Sequence, residues 1–317
     1  MYKYVLKRLV LMVFTFIIIM TMCFVLIKML PLPAIKEMGR DVNIILQRRE
    51  AMGYNKPIMV QYWLYWKHLL HGDMGLGEQM YSSREVAQVM FSKLPYTVVV
   101  NLYSILLSIP LGLLLGIYAA LRKNRWQDHF ISTMVMVFVS VPSYVYAFLV
   151  QYLLCYKTGW FSLTIASRQE AEFLSWAMFK SMFTAVIALS FSTIASLTRF
   201  TRAELSEVLT GDYLLLARTK GLTRSQAVIR HAMRNAMVPI LPMILGEFIY
   251  ILGGSLIIES IFSIPGVGSL FVDSVNLRDY NFFMADTFFY TFIGLLSGLV
   301  IDLSYGFIDP RIKMGER

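Results

Sequence analysis

Apolar residues gather into six runs along the chain: Leu9 to Met29, Thr97 to Ala120, Phe130 to Leu154, Met178 to Leu197, Pro239 to Ile258 and Met284 to Ile301. Each is close to the ~20 residues a helix needs to cross about 30 Å of hydrocarbon. Backbone in lipid must satisfy its own hydrogen bonds, so spans of this kind are helices. The pattern predicts an all-α polytopic membrane protein with six transmembrane helices. It also divides the chain: residues 1–30 hold the N-terminal end and first span, 31–96 form an external region with interfacial helices, and 97–317 carry five spans with a long polar loop at 199–237.

That loop is the only long polar, helix-patterned stretch between two strongly apolar runs. Tyr213 to Thr219 contain no glycine or proline and lie between Gly211 and Gly221, which predicts a short isolated helix ending at the second glycine. Thr223-x-x-Gln226 has the spacing of a capping box and starts a second helix, which bears Arg224, Arg230, His231 and Arg234 before its charge runs out. A short helix held by two glycines at the end of two spans is a lever or a docking knob. The plainer reading is a basic loop that follows the positive-inside bias.

In the 31–96 region, Asn55-Lys56-Pro57 can open a helix. The segment IMVQYWLYWKHLL after it is too short to span and rich in Trp and Tyr, which suits a membrane interface. Ser82-x-x-Glu85 predicts another capping box and a short helix toward Lys93. Within the third span, Pro142 favours a kink, and Gln151, Tyr144, Tyr146 and Tyr152 could line a polar path or bond between helices. Hydroxyls crowd one end of the fourth span, at Ser190, Ser192, Thr193, Ser196 and Thr198, and suit close packing or a water-lined path. Glu247 is a carboxylate deep in the fifth span, where acids are costly and functional by default. It could bind the amino terminus of a peptide, carry protons or pair with a partner chain. After it, Pro265-Gly266-Val267-Gly268 demands a tight turn.

Composition agrees with the pattern, since 57% hydrophobic and 15% charged residues are outside the range of one soluble domain. A net charge of +9 would suggest nucleic acid in a soluble protein, but here its placement matters more. Lys3, Lys7 and Arg8, then Arg122, Lys123 and Arg125, then the basic residues of the 199–237 loop, then Arg311, Lys313 and Arg317 all fall on one side of a six-span topology. The opposite short loops carry only Lys157, Arg168 and Arg278. Both termini are therefore expected in the cytoplasm. The first apolar run is too long for a cleaved leader and is expected to remain as an anchor. Cys23 and Cys155 have no metal or disulfide spacing and are expected to be small buried hydrophobes. No Gly-x-x-x-x-Gly-Lys-Ser/Thr cradle, His-Glu-x-x-His pair or Gly-x-Ser-x-Gly elbow occurs, and His68, His71, His129 and His231 are scattered. An enzyme is thus not expected, and no metal site. An ion-driven carrier would show an internal repeat around a midplane site, and none is evident.

The runs DYLLLARTKGL and RHAMRNAMVP resemble the cytoplasmic signature of the integral membrane subunits of dipeptide, oligopeptide and nickel ABC importers. Leu215-Leu216-Ala217 stands where general importers have Glu-Ala-Ala, as is usual in the peptide branch. MGYNKPIMVQYW with HGDMGLG, the run from Glu259 through Phe262-Ser263 to Gly268, Arg278-Asp279-Tyr280, and Asp302 to Arg311 resemble that family's other motifs. Met74 and Gly77 depart from its Gly-Asp-Leu-Gly-x-Ser run. The resemblance covers nearly the whole chain and implies the type I importer permease fold. It implies that Asp212, Tyr213, Ala217, Arg218, Lys220, Gly221, Arg230, His231, Arg234 and Asn235 couple to an ATPase. It places Gly72, Asp73, Pro265, Gly266, Gly268, Arg278 and Asp279 on an external gate, leaving Glu247, Ser192, Ser196 and Gln151 as candidate pathway residues. The implied function is ATP-driven uptake of short peptides through a multi-pass subunit of a bacterial or archaeal cytoplasmic membrane. The alternatives are nickel or other small cargo taken up by the same ABC mechanism, or an ion-driven secondary transporter. The implied partners are a second homologous permease subunit in a heterodimer, two ATPase subunits that use ATP and Mg, an external binding protein, and lipid. Neither nucleic acid nor a cofactor of the chain's own is expected.

Overall fold

The computed structural model describes residues 2–31, 40–167 and 170–308. Its helices are α1 (Tyr2–Met29), α2 (Arg40–Ala51), α3 (Ile58–Leu70), α4 (Val86–Leu121), α5 (Trp126–Ser140), α6 (Ser143–Val150), α7 (Trp176–Val208), α8 (Asp212–Thr219), α9 (Arg224–Ala227), α10 (Met233–Tyr250), α11 (Leu256–Ile261), α12 (Val267–Leu277) and α13 (Tyr280–Ile308). A π-helical segment, Gln151–Lys157, extends α6, and another, Val228–Ala232, joins α9 to α10. Among the described residues, extended pairing is limited to an antiparallel bridge between Leu76 and Glu85. Five helices are long and apolar enough to cross a membrane: α1, α4, α7, the run Arg224–Tyr250, and α13. They become six if the bent pair α5 and α6 forms one span. The all-α polytopic fold expected from hydropathy is present.

The differences in detail have local causes. The third span is not gently kinked but broken by 103° between Ser140 and Ser143. Pro142 has no amide hydrogen and forces Val141 into extended backbone, φ −84° and ψ 127°. The helix expected from Ser82 to Lys93 and the second span are one helix, α4. Ser82 forms no capping box, for its buried hydroxyl has no partner among the described residues. The polar Ser92 and Lys93 do not end α4: Ser92 Oγ donates to Val89 O at 2.7 Å, and Lys93 Nζ lies 5.2 Å from the Tyr81 ring centre. The fifth span stops at Tyr250 rather than Ile258, and Gly254 follows at φ +60°. Helix α2 has no counterpart in the sequence-based expectation. Asp309-Pro310-Arg311, Lys313, Arg317 and Arg168 lie outside the described residues.

Two compact units emerge, Met1–Val5 with Val99–Ile251 and Ser297–Arg317, and Leu6–Val98 with Leu252–Leu296. In the first, α4 and α7 approach closely because Gly112 and Gly116 of α4 face Leu197 and Thr201 of α7, where an added methyl would meet neighbours at 2.8 and 2.6 Å. Ser104 and Ser190 share a 3.1 Å hydrogen bond, and Thr198 Oγ1 donates to Gly112 O at 3.2 Å. Part of the hydroxyl cluster on α7 thus serves helix packing. Asp128, fully buried at the start of α5, accepts both arms of the Arg202 guanidinium, with Nη2 to Oδ2 at 2.8 Å, and also the Asn124 amide. In the second unit, Tyr62, Tyr65 and Trp66 of α3 pack on Phe16 and Phe24 of α1, and Thr21 Oγ1 meets Tyr62 OH at 2.6 Å. The aromatic segment therefore spends most of its rings on α1, leaving Trp63 exposed. Val86, Val89 and Met90 form a second core with Val267, Leu270 and Phe282. Cys155 is buried, Cys23 is half-buried, and both are free.

Candidate functional site

Three places carry the candidate residues. The first is the polar loop. Gly211 precedes α8 in extended backbone, and Gly221 follows it at φ +89°, the left-handed form that glycine adopts without penalty. Leu222 N donates to Ala217 O at 3.3 Å and Gly221 N to Arg218 O at 3.0 Å, closing the helix end. Thr223 then forms the full capping box, Gln226 N to Oγ1 at 3.3 Å and Thr223 N to Gln226 Oε1 at 3.0 Å. Leu214 and Ala217 sit in a core with Ala120, Leu205, Ala227 and Val228. That core fixes one face of α8. On the other faces Asp212, Leu215, Leu216 and Arg218 are exposed, as are Lys220 and, beyond, Arg230, His231, Arg234 and Asn235. Leu215 and Leu216 are 62% and 56% exposed, so two leucines and several basic groups project from a buried foundation. Of the residues expected to couple, Ala217 alone is interior; the Tyr213 side chain lies outside the described residues.

The second place holds the expected gate motifs, and two buried carboxylates organise it. Asp279 Oδ2 accepts the amides of Glu78, Gln79 and Met80 at 2.8, 2.7 and 3.0 Å, while its Oδ1 accepts the Phe282 amide at 3.4 Å in the first turn of α13. Arg278 before it is exposed and left-handed at φ 57°, and Tyr280 OH donates to the carbonyls of Leu30 and Pro31 at 2.7 and 2.9 Å. Glu259 is fully buried. Thr97 Oγ1 donates to its Oε1 at 2.9 Å, Ser269 N donates to its Oε2 at 3.2 Å, and the Gly268 amide donates as well. Val267 N donates to Thr97 Oγ1 at 2.9 Å. The opening amides of α12, which a helix leaves unpaired, thus find a carboxylate and a hydroxyl supplied by the chain itself. Burial pushes the Glu259 carboxyl up to about 7, against the pull of the Thr97, Ser269, Gly268 and Ser255 donors. Gly254, Gly266 and Gly268 wall this carboxylate. A methyl on Gly254 or Gly266 would overlap it, and one on Gly268 would come within 2.8 Å. The Pro-Gly-x-Gly turn is glycine-rich because a glutamate lies against its backbone.

Nearby in the same unit, Arg49 Nη2 pairs with the buried Glu78 at 2.6 Å, and burial raises the Glu78 carboxyl. Asp73 accepts from Arg48 and bonds His68, both at 3.1 Å, and its Oδ1 accepts the Gly75 amide at 2.9 Å. Burial would raise its carboxyl, but the Gly75 amide, Arg48 and His68 together hold it below the usual range. Gly72, at φ +79°, is exposed, and Pro265 is half-buried. Gly266, Gly268 and Asp279 are interior, so their role runs through the backbone they hold.

The third place is the candidate pathway, in the first unit. Glu247 of α10 is half-buried and accepts a hydrogen bond from Thr193 of α7. Ser192 is exposed, and with Ser143 it shares hydrogen bonds with the hydroxyl of buried Tyr146. Ser196 and Gln151 are half-buried. Sequence spacing did not single out Glu259, Thr97, Arg49, Glu78 or the Asp128–Arg202 pair. The one available signal was Glu259 itself, an acid beside an apolar run.

Residues 112–314 match the model of the family described as binding-protein-dependent transport system inner membrane component, and residues 1–101 match that of the membrane component's N-terminal part. The chain is 33% identical over 314 residues to the dipeptide transport system permease protein DppB of Lactococcus lactis subsp. cremoris, covering 99% of this chain and 100% of that one. It is 32% identical over 316 residues to the glutathione transport system permease protein GsiC of Salmonella paratyphi A, covering 99% of both.

Proposed function

This chain belongs to the family of binding-protein-dependent transport system inner membrane components, and from that premise we propose that it imports short peptides as one permease subunit of an ABC importer. The carrying observation is the face of α8: Leu215, Leu216, Arg218 and Lys220 stand exposed on a helix that Leu214 and Ala217 anchor. Exposed leucines beside guanidinium and ammonium groups on a fixed base suit a cleft in a separate ATPase subunit.

In this reading a second homologous permease subunit completes the pathway as a heterodimer. Two ATPase subunits bind ATP and Mg and meet α8 together with Arg230, His231, Arg234 and Asn235. An external binding protein delivers cargo to the side bearing Gly72, Asp73, Pro265 and Arg278, and both termini face the cytoplasm. Cargo passes Glu247, Ser192, Ser196 and Gln151. The peptide assignment is supported by the relatives named for dipeptide and glutathione transport, each matched over nearly its full length. Uptake of labelled dipeptides and of nickel by a strain lacking this chain tests it. Loss of peptide uptake is expected; unchanged peptide uptake with lost nickel uptake would reverse the assignment.

A further inference from the structure

Glu247 is an acid whose company is entirely hydroxyl. Its hydrogen-bond partner is the Thr193 hydroxyl, and no lysine, arginine or histidine pairs with it among the described residues. The nearest basic residue before it on the same helical run is Arg234, about 20 Å back along the axis at 1.5 Å per residue. Beside Thr193 on α7, Ser192 bonds to Tyr146 of α6. Glu247 is half-buried, which leaves part of its carboxyl open to an incoming molecule.

An acid in a membrane helix is retained when something cationic meets it. Three buried acids have their donors built in: Asp128 has Arg202, Asp279 has backbone amides, and Glu259 has Thr97 and the start of α12; Asp286 of α13 has no partner among the described residues but is fully buried and closed to an incoming group. Glu247 has a single neutral hydroxyl donor, which occupies one lone pair and leaves acceptor capacity to spare.

We propose that Glu247, oriented by Thr193, receives the free α-ammonium group of the transported peptide, and that this chain thereby selects substrates with an unblocked amino terminus. The inference rests on the peptide-import reading. An ammonium donates up to three hydrogen bonds, and the carboxylate oxygens of Glu247 with the hydroxyl oxygen of Thr193 supply acceptors for them. Acetylation of the amine removes its charge and two of those donors.

The test uses the assembled complex in proteoliposomes, with labelled dialanine and N-acetyl-dialanine supplied at saturating concentration. Glu247→Gln should lower dialanine uptake at least tenfold and leave N-acetyl-dialanine uptake within twofold of wild type. Glu247→Asp should recover part of the dialanine rate. Equal losses for both peptides, no loss for either, or failure of the Gln variant to assemble would overturn the inference, the last by showing that Glu247 pairs with a partner chain. A wild-type complex that moves neither peptide would overturn the peptide reading and this inference with it.

Discussion

The loop around α8 and the region around Glu259 and Asp279 solve the same problem in opposite ways. Both contain short helices whose first amides need acceptors. In the loop the side-chain caps are local: Thr223 and Gln226 cap one helix across three residues, while α8 has no side-chain cap at its start and is closed at its far end by Gly221. Around Asp279 and Glu259 near contacts, to the Phe282 and Ser269 amides three and ten residues on, are joined by others from far along the chain. Asp279 reaches amides 199 to 201 residues away, and Glu259 takes a hydroxyl 162 residues away. Local capping leaves a helix outward and free to engage a partner, whereas long-range capping fixes a turn against its neighbours. The difference teaches that one region is built to be touched and the other to hold shape.

The largest expected effect separates the two regions directly. Asp279→Ala removes one side chain and strands four amides, each costing about 1–3 kcal/mol when unpaired. The protein should lose well over ~3 kcal/mol of stability, seen as failure to survive detergent extraction or a steep drop in Tm. Thr223→Ala in the loop removes one cap and should cost about 1 kcal/mol, with unchanged abundance. Near-equal losses would erase the distinction.

Alanine at two glycines sharpens it. Gly266 has ordinary φ of −97°, so Gly266→Ala fails for lack of space against Glu259 and should cost up to about 3 kcal/mol. Gly221 has φ +89° but nothing within 4 Å, so Gly221→Ala pays only the backbone penalty of about 1 kcal/mol. Gly266→Ala combined with Glu259→Ser should recover part of the loss by making room. Thermal unfolding of the three variants reads both effects.

A further effect is a pH dependence. Glu259 in the folded protein titrates at about 7, above its ordinary 4.5, so between those values the folded state holds a proton that the unfolded chain has released. Stability from this group is therefore greatest below pH 4.5, falls as pH rises to about 7, and is level above. Thermal unfolding of wild type at pH 5 and pH 8, set against Glu259→Gln, should show a decline with pH that the variant lacks.

What the sequence made legible follows the same division. Hydropathy placed the spans because lipid imposes a one-dimensional rule on each segment. Gly221 and the Thr223 capping box were readable because their partners lie within four residues. The Ser82 box had equally good local spacing and does not form, since α4 begins instead at Val86, drawn into a core with Val267, Leu270 and Phe282. The Pro-Gly-x-Gly turn was visible as a turn, but its cause was not, because Glu259 and Thr97 meet it only once the chain has folded. The Asp128–Arg202 pair, 74 residues apart, left no pattern to find. Glu247 stood out as an intramembrane acid, and its partner Thr193 did not stand out from its hydroxyl neighbours.

The central claim, that α8 presents its outer face to an ATPase, is tested most directly by changing that face alone. Leu215 and Leu216 contribute little to the folded core, being mostly exposed. The double variant Leu215→Asp with Leu216→Asp should insert, accumulate and pair with the second permease subunit as wild type does. Purified from its own membrane, it should carry no ATPase subunits and support no substrate-stimulated ATP hydrolysis. Recovery of the ATPase in wild-type amounts, with normal uptake, would contradict the claim and reduce the loop to a basic tether.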